Sequence, residues 1–174
     1  MLIAAIVLAV GAAIGVIVAA MLRQPTPADA PVAIVAIPAP AADGPECAKL
    51  SAALPQRLGD FERAPVAEPA PAGTAAWRAS TDGEPVILRC GVDRPLEFVA
   101  GSPLQAVDDV AWFRVADPAT GDRPGGRTTW FVVDRPVYVA LTLPPGSGPT
   151  PIQEISRVVA ESLPAKDIDP APIG

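Results

Sequence analysis

A chain of 174 residues is long enough for one domain of ordinary size. Its 13 basic and 19 acidic residues give a net charge of −6 and are interspersed, so the basic stripe of a nucleic-acid-binding protein is missing. With no histidine and two cysteines, a Ser-His-Asp triad and a zinc site built from Cys and His are both excluded.

The first element is apolar. Leu2 to Leu22 runs for 21 residues without a charge. As a helix it would span roughly 31 Å, about one hydrocarbon thickness. It predicts a transmembrane anchor over residues 1–22, with a cleaved signal peptide as the rival. Signal peptides usually have a shorter apolar core, about 7–15 residues, preceded by basic residues that are absent here. Arg23, the nearest charge, taken alone would place the rest of the chain on the cytoplasmic side. The cysteines argue for the opposite side. Gly11 to Gly15 also matches the small-residue pattern of packed membrane helices, which arises easily in an Ala/Gly-rich run.

Residues 23–42 read as a linker. Prolines 25, 27, 31, 38, 40 and 45 forbid a helix and favour an extended spacer. VAIVAI, Val32 to Ile37, is too apolar for a pure linker and is expected to lie against the domain as an edge strand or against a partner.

A domain is expected over 43–165, followed by a frayed acidic tail, 166–174. Asp43-Gly44-Pro45-Glu46 predicts a capped helix start. Cys47, Leu50, Leu54 and Leu58 form one apolar face, which Pro55 should interrupt. Short strands follow: Ala75 to Arg78, then VILRCGV, in which Val86, Leu88, Cys90 and Val92 share one face and Ile87, Arg89 and Gly91 the other. Val107 to Val115 reads as one strand. Arg127 to Asp134 and Val137 to Leu143 predict a hairpin, with Val137, Val139, Leu141 and Leu143 on a common face. Thr150, Pro151 and Gln153 resemble a capping box opening a last helix, with Ile152, Ile155, Val159 and Leu163 buried. Four or five contiguous strands between two helices give the expected class: α+β, an N-terminal transmembrane helix and then a small antiparallel sheet with two helices packed on one face.

The candidate chemistry is sparse. Cys90 and Cys47 both point at the helix–sheet interface, where a disulfide would join them if the domain is exported. Two buried reduced cysteines in a cytoplasmic domain are the alternative. No metal and no cofactor are expected. Asp108-Asp109 cannot act as a carboxylate dyad on a regular strand, since neighbours face opposite sides; a turn there would relax this. Gly121 to Arg127 lacks the ending of a phosphate loop and reads as a turn. Arg89 is an exposed strand residue, an ion-pair partner or an anion contact in a groove. Trp77, Trp112 and Trp130 serve the core better than sugar stacking in a chain so poor in aromatics.

The pieces CAKLSAALPQRL, AAW, PVILRCGV, VDDVAW, a TTWF strand and RPVYVALTLP resemble the actinobacterial domain of unknown function 3515 family. Its pattern is approximately Cys…Leu…LP, AAWG, vvLRCGV, VNGVxW, a Phe-Thr strand and RxxYVxVxvP. The match spans about Ala42 to Leu163. Arg78 replaces the glycine after AAW, and Asp108-Asp109 replaces Asn-Gly, which implies that this stretch is a turn rather than regular strand. The resemblance implies a membrane-anchored or secreted, extracytoplasmic, disulfide-linked protein and no reaction. The expectation is therefore a non-enzymatic accessory module, anchored in the membrane by its N-terminal helix, with a protein partner in the envelope and no nucleic acid. A ligand-binding protein or enzyme for peptidoglycan or glycan fragments is the rival, using Arg89, Asp108, Trp112 and Tyr138 around one groove.

Overall fold

Eight β-strands among the described residues form one antiparallel sheet in the order β1-β2-β3-β4-β8-β7-β6-β5. The computed structural model describes residues 30–79, 83–116 and 126–173. The expected anchor, Leu2 to Leu22, and most of the Gly121 to Arg127 turn lie outside them. No helix among the described residues is long and apolar enough to cross a membrane. The strands are β1 (Arg57–Leu58), β2 (Phe61–Ala64), β3 (Thr74–Ala79), β4 (Val86–Val92), β5 (Leu104–Val107), β6 (Val110–Ala116), β7 (Thr128–Val132) and β8 (Tyr138–Leu143). Two helices flank them, α1 (Pro45–Ala53) and α2 (Thr150–Ser162).

The sheet is larger than expected, for two local reasons. Leu58 leaves the helix after Pro55 and pairs with Phe61, starting a short hairpin. The stretch Val107 to Val115 is not one strand: Asp108 adopts a left-handed φ of 50°, and Val107 pairs with Val110 across a two-residue turn. Aspartate tolerates that conformation better than most residues. Arg135 braces the same turn. Its buried guanidinium donates to the Asp109 carbonyl at 2.7 Å and pairs with Asp134 at 2.9 Å. Asp134 in turn accepts the Ala111 amide.

One face of the sheet carries the main core. Trp77, Leu88, Cys90, Trp112, Val139 and Leu141 pack there with Cys47 and Leu50 of α1 and with Ile152, Ile155 and Val159 of α2. Both helices thus cover the same face, as expected. Neither is capped as its sequence predicts: Gly44 and Pro149 hold the cap positions, with no side-chain hydrogen bond. Glu154 of α2 accepts the Gly59 amide near one sheet edge, at 3.2 Å. Further along the same helix, Ser156 accepts the Trp112 indole N–H at 2.9 Å, toward the other edge. The sheet therefore curls round α2.

The opposite, outer face holds two smaller clusters. Val32 and Ile34 pack with Ala64 and Ala76, and Val32 exchanges backbone bonds with the Pro65 carbonyl and the Ala67 amide. Of the two expectations for VAIVAI, packing against the domain is the one observed. Phe98, Phe113 and Val133 form the second cluster. Residues 166–173 are not frayed: the Lys166 amide bonds to the Asp134 carbonyl, and Ala171 pairs with Phe98 and Ala100.

Candidate functional site: a groove over Arg89

The alternation read in VILRCGV holds as far as Cys90. Val86, Leu88 and Cys90 join the inner core, while Ile87 packs on the outer face. Cys90 is bonded to Cys47, 43 residues earlier, with their Cα atoms 5.6 Å apart. At Gly91 the pattern breaks. A bulge places Val92 opposite Tyr138, the residue adjacent to Cys90's own partner Val139, so Val92 departs from the face assigned to it. Gly91 has φ 80°, and a side chain there would overlap the Ala42 nitrogen and the Ala41 carbonyl carbon. The Ala41 amide donates to the Gly91 carbonyl at 3.1 Å. Glycine is thus what lets the N-terminal segment cross the sheet at contact distance.

That crossing frames Arg89. Register places Thr74, Arg89, Ala140, Phe131, Phe113 and Leu104 in one row across the outer face. The adjoining row contains Ala76, Ile87, Thr142, Thr129 and Val115. Arg89 is the one charged side chain among these positions. It lines two hollows on either side of the crossing segment. The larger, about 400 Å³, has Phe131, Val115, Thr129 and Thr142 along its floor and Ile37 and Glu97 in its walls. The smaller, about 270 Å³, lies among Val35, Ile37, Asp43, Pro71 and Thr74.

The Arg89 Nε is buried and has no hydrogen-bond partner among the described residues. Burial also lowers the pKa of this guanidinium, although an arginine stays charged at neutral pH. Arg63 is lowered by burial too, but its guanidinium rests over the Trp77 ring at 4.8 Å. Arg78 also buries an unpartnered Nε, but it is registered opposite Glu62, away from the hollows. Thr129 and Thr142 share a hydrogen bond of 3.0 Å and leave the cation alone. An unmet buried donor costs about 1–3 kcal/mol. Here it belongs to a permanent cation at the floor of an accessible, largely apolar groove.

The other residues singled out in the sequence do not converge on it. Trp112 is fully enclosed in the inner core. Asp108 forms the β5–β6 turn. Tyr138 shares the outer face, but its hydroxyl donates to the Asp169 carbonyl at 3.3 Å, and it lines neither hollow. Ile37 belongs to the VAIVAI stretch expected to lie against the domain or a partner, whereas Thr129, Phe131 and Glu97 are not singled out in the sequence as site residues. Alternation in RTTWFVV places Thr129 and Phe131 on one face, but nothing in the sequence says that this face lies beside Arg89.

Among the described residues no group of three or more Asp, Glu, Cys or His is placed to hold a metal ion. The sequence model of one protein family, "Protein of unknown function (DUF3515)", matches residues 6–168. The chain belongs to the DUF3515 family. No curated protein and no solved structure matches it. The DUF3515 match takes in every described strand and helix, so the groove lies wholly within the family's domain. Asp108 and Asp109 are the two central residues of the β5–β6 turn, and of the two only Asp108 carries a positive φ, so the turn departs from the type I′ geometry that an Asn-Gly pair favours.

Proposed function

We propose that this DUF3515 protein is a membrane-tethered, extracytoplasmic binding module that uses the outer face of its sheet, around Arg89, to hold a protein partner in the cell envelope. The reading assigns it binding and no reaction. The observation that carries it is the placement of exposed apolar side chains. Val35 and Ile37 are 77% and 47% exposed on the crossing segment, and Leu96 is 92% exposed beside Pro95 and Glu97 at the groove wall. Apolar groups gathered at a groove rim mark interaction surfaces more often than isolated ones do. Tethering and compartment are supported by the uncharged run Leu2 to Leu22 and by a disulfide, which persists in oxidising surroundings. The glycan reading places Trp112 around the groove with Arg89, Asp108 and Tyr138, and Trp112 is enclosed in the inner core.

Photo-crosslinking in native membranes tests this. A photoreactive residue at Ile37 or Leu96 should capture one discrete protein, while the same group at Arg157, on helix α2, should not. Equal capture from all three positions, or none from Ile37 and Leu96, rejects the outer face as the binding surface.

A further inference from the structure

The groove also specifies the chemistry of its occupant. We infer that Arg89 receives a single carboxylate carried next to an apolar side chain, presented as the free C-terminus of a partner polypeptide. This rests on the proposed use of the outer face.

Three features point the same way. The Arg89 Nε has no acceptor among the described residues, and the neighbouring Thr129 and Thr142 hydroxyls bond to each other, so the cation is the unmet polar group of the floor. A carboxylate is the acceptor whose geometry fits a guanidinium. The charge count then limits the anion. Glu97 stands in the wall of the larger hollow and Asp43 in that of the smaller, each sharing its hollow with the same single arginine. A dianion such as a phosphate monoester would meet one cation and a carboxylate on either side, whereas a monoanion is balanced by Arg89 alone. Finally, Phe131, Val115 and Ile37 surround the cation with apolar surface. A chain terminus sets its carboxylate one atom from an apolar side chain. An internal Asp or Glu would bring two flanking peptide groups into the same apolar hollow without partners, which is costly.

The test uses the full chain in detergent micelles and a fluorescently labelled apolar pentapeptide, Ala-Ala-Val-Val-Leu, as the free acid and as the C-terminal amide. The acid should bind saturably, and amidation should weaken it by about ten- to hundredfold, the range of a hydrogen bond to a charged group. R89Q should erase the difference between acid and amide, whereas R157Q should leave it intact. Decanoate and orthophosphate serve as competitors. Equal binding of acid and amide, an acid preference that survives in R89Q, or no saturable binding of the acid overturns the inference. So does displacement of the peptide by phosphate, or by decanoate at concentrations below those of the peptide itself. The acid–amide comparison is made on the unmodified protein, so misfolding of R89Q cannot decide it. Crosslinks from Ile37 and Leu96 that persist alongside indistinguishable acid and amide would sink this inference and leave the outer-face reading standing. Loss of those crosslinks removes the reading itself.

Discussion

Gly91 shows how one residue sets the geometry of the whole outer face. Its φ of 80° and the backbone of Ala41 and Ala42 against it leave no space for a Cβ. Gly91→Ala should therefore combine left-handed backbone strain with forced displacement of the crossing segment, together about 2–5 kcal/mol. Gly101 is the control, since its φ is 86° but nothing lies within 4 Å of a Cβ added there. Gly101→Ala should lose only the backbone part, about 1–2 kcal/mol. Equal denaturant midpoints for the two variants would refute the close approach. Tyr138 gives a second test at this scale, because it is the one tyrosine in the chain and its ionisation can be read directly by absorbance. Burial raises its pKa, with Arg94 opposing and Asp169 adding to the rise. The phenol should ionise above the ordinary value of about 10. A raised folded pKa means that the folded state holds its proton longer, so this contribution to stability is full below about pH 10 and falls as pH rises through the folded value. Arg94→Ala should move the ionisation further up; a midpoint at or below the ordinary value would contradict the assignment.

At the scale of elements, α2 depends on a polar residue within its apolar face. Ser156 is fully buried, accepts the Trp112 N–H and donates to the Ile152 carbonyl at 2.7 Å. Ser156→Ala should strand the indole donor and cost about 1–3 kcal/mol. Trp112→Phe in the Ser156→Ala background should cost clearly less than Trp112→Phe alone, because the donor has already lost its partner. Strict additivity of the two substitutions in urea unfolding would show that the bond contributes nothing. The apolar face of α2 and the strands around Cys90 and Val139 are legible in the sequence because long periodic runs identify both the element and its buried side. Ser156 is not legible, since the same period reads a serine as a neutral interruption. β1 and β2 escape because two to four residues are too few to establish a period, and Pro55 and Pro65 point to loops. Alternation assigns Arg89 correctly to the face opposite Cys90. It does not reveal the surroundings of Arg89, because they come from β7, β8 and residue 37, whose proximity is a matter of strand order.

Taken as a whole molecule, the domain is fastened where α1, β4 and the crossing segment meet. The Cys47–Cys90 bond links the helix to the central strand, the Cys90 amide donates to the Gly73 carbonyl at 2.8 Å, and the next residue accepts the Ala41 amide. Breaking the bond releases a loop set by the 43-residue separation, worth about 4 kcal/mol by chain entropy. Domains of this kind have about 5–15 kcal/mol in total, so a Cys47→Ala/Cys90→Ala variant should remain folded in mild conditions but lose a large share of its stability. The crossing segment should loosen with it, since Gly91 is covalently adjacent to Cys90 and Ala41 is anchored there. Amide exchange at Ala41 should accelerate in the variant more than at Ala171, which is held by Phe98 on the far side of the face. Uniform acceleration at both amides would mean that the bond stabilises the domain without holding the groove wall in place. In the native protein, denatured without reductant, free thiols should be near zero; two per chain would remove both the staple and the compartment assignment built on it.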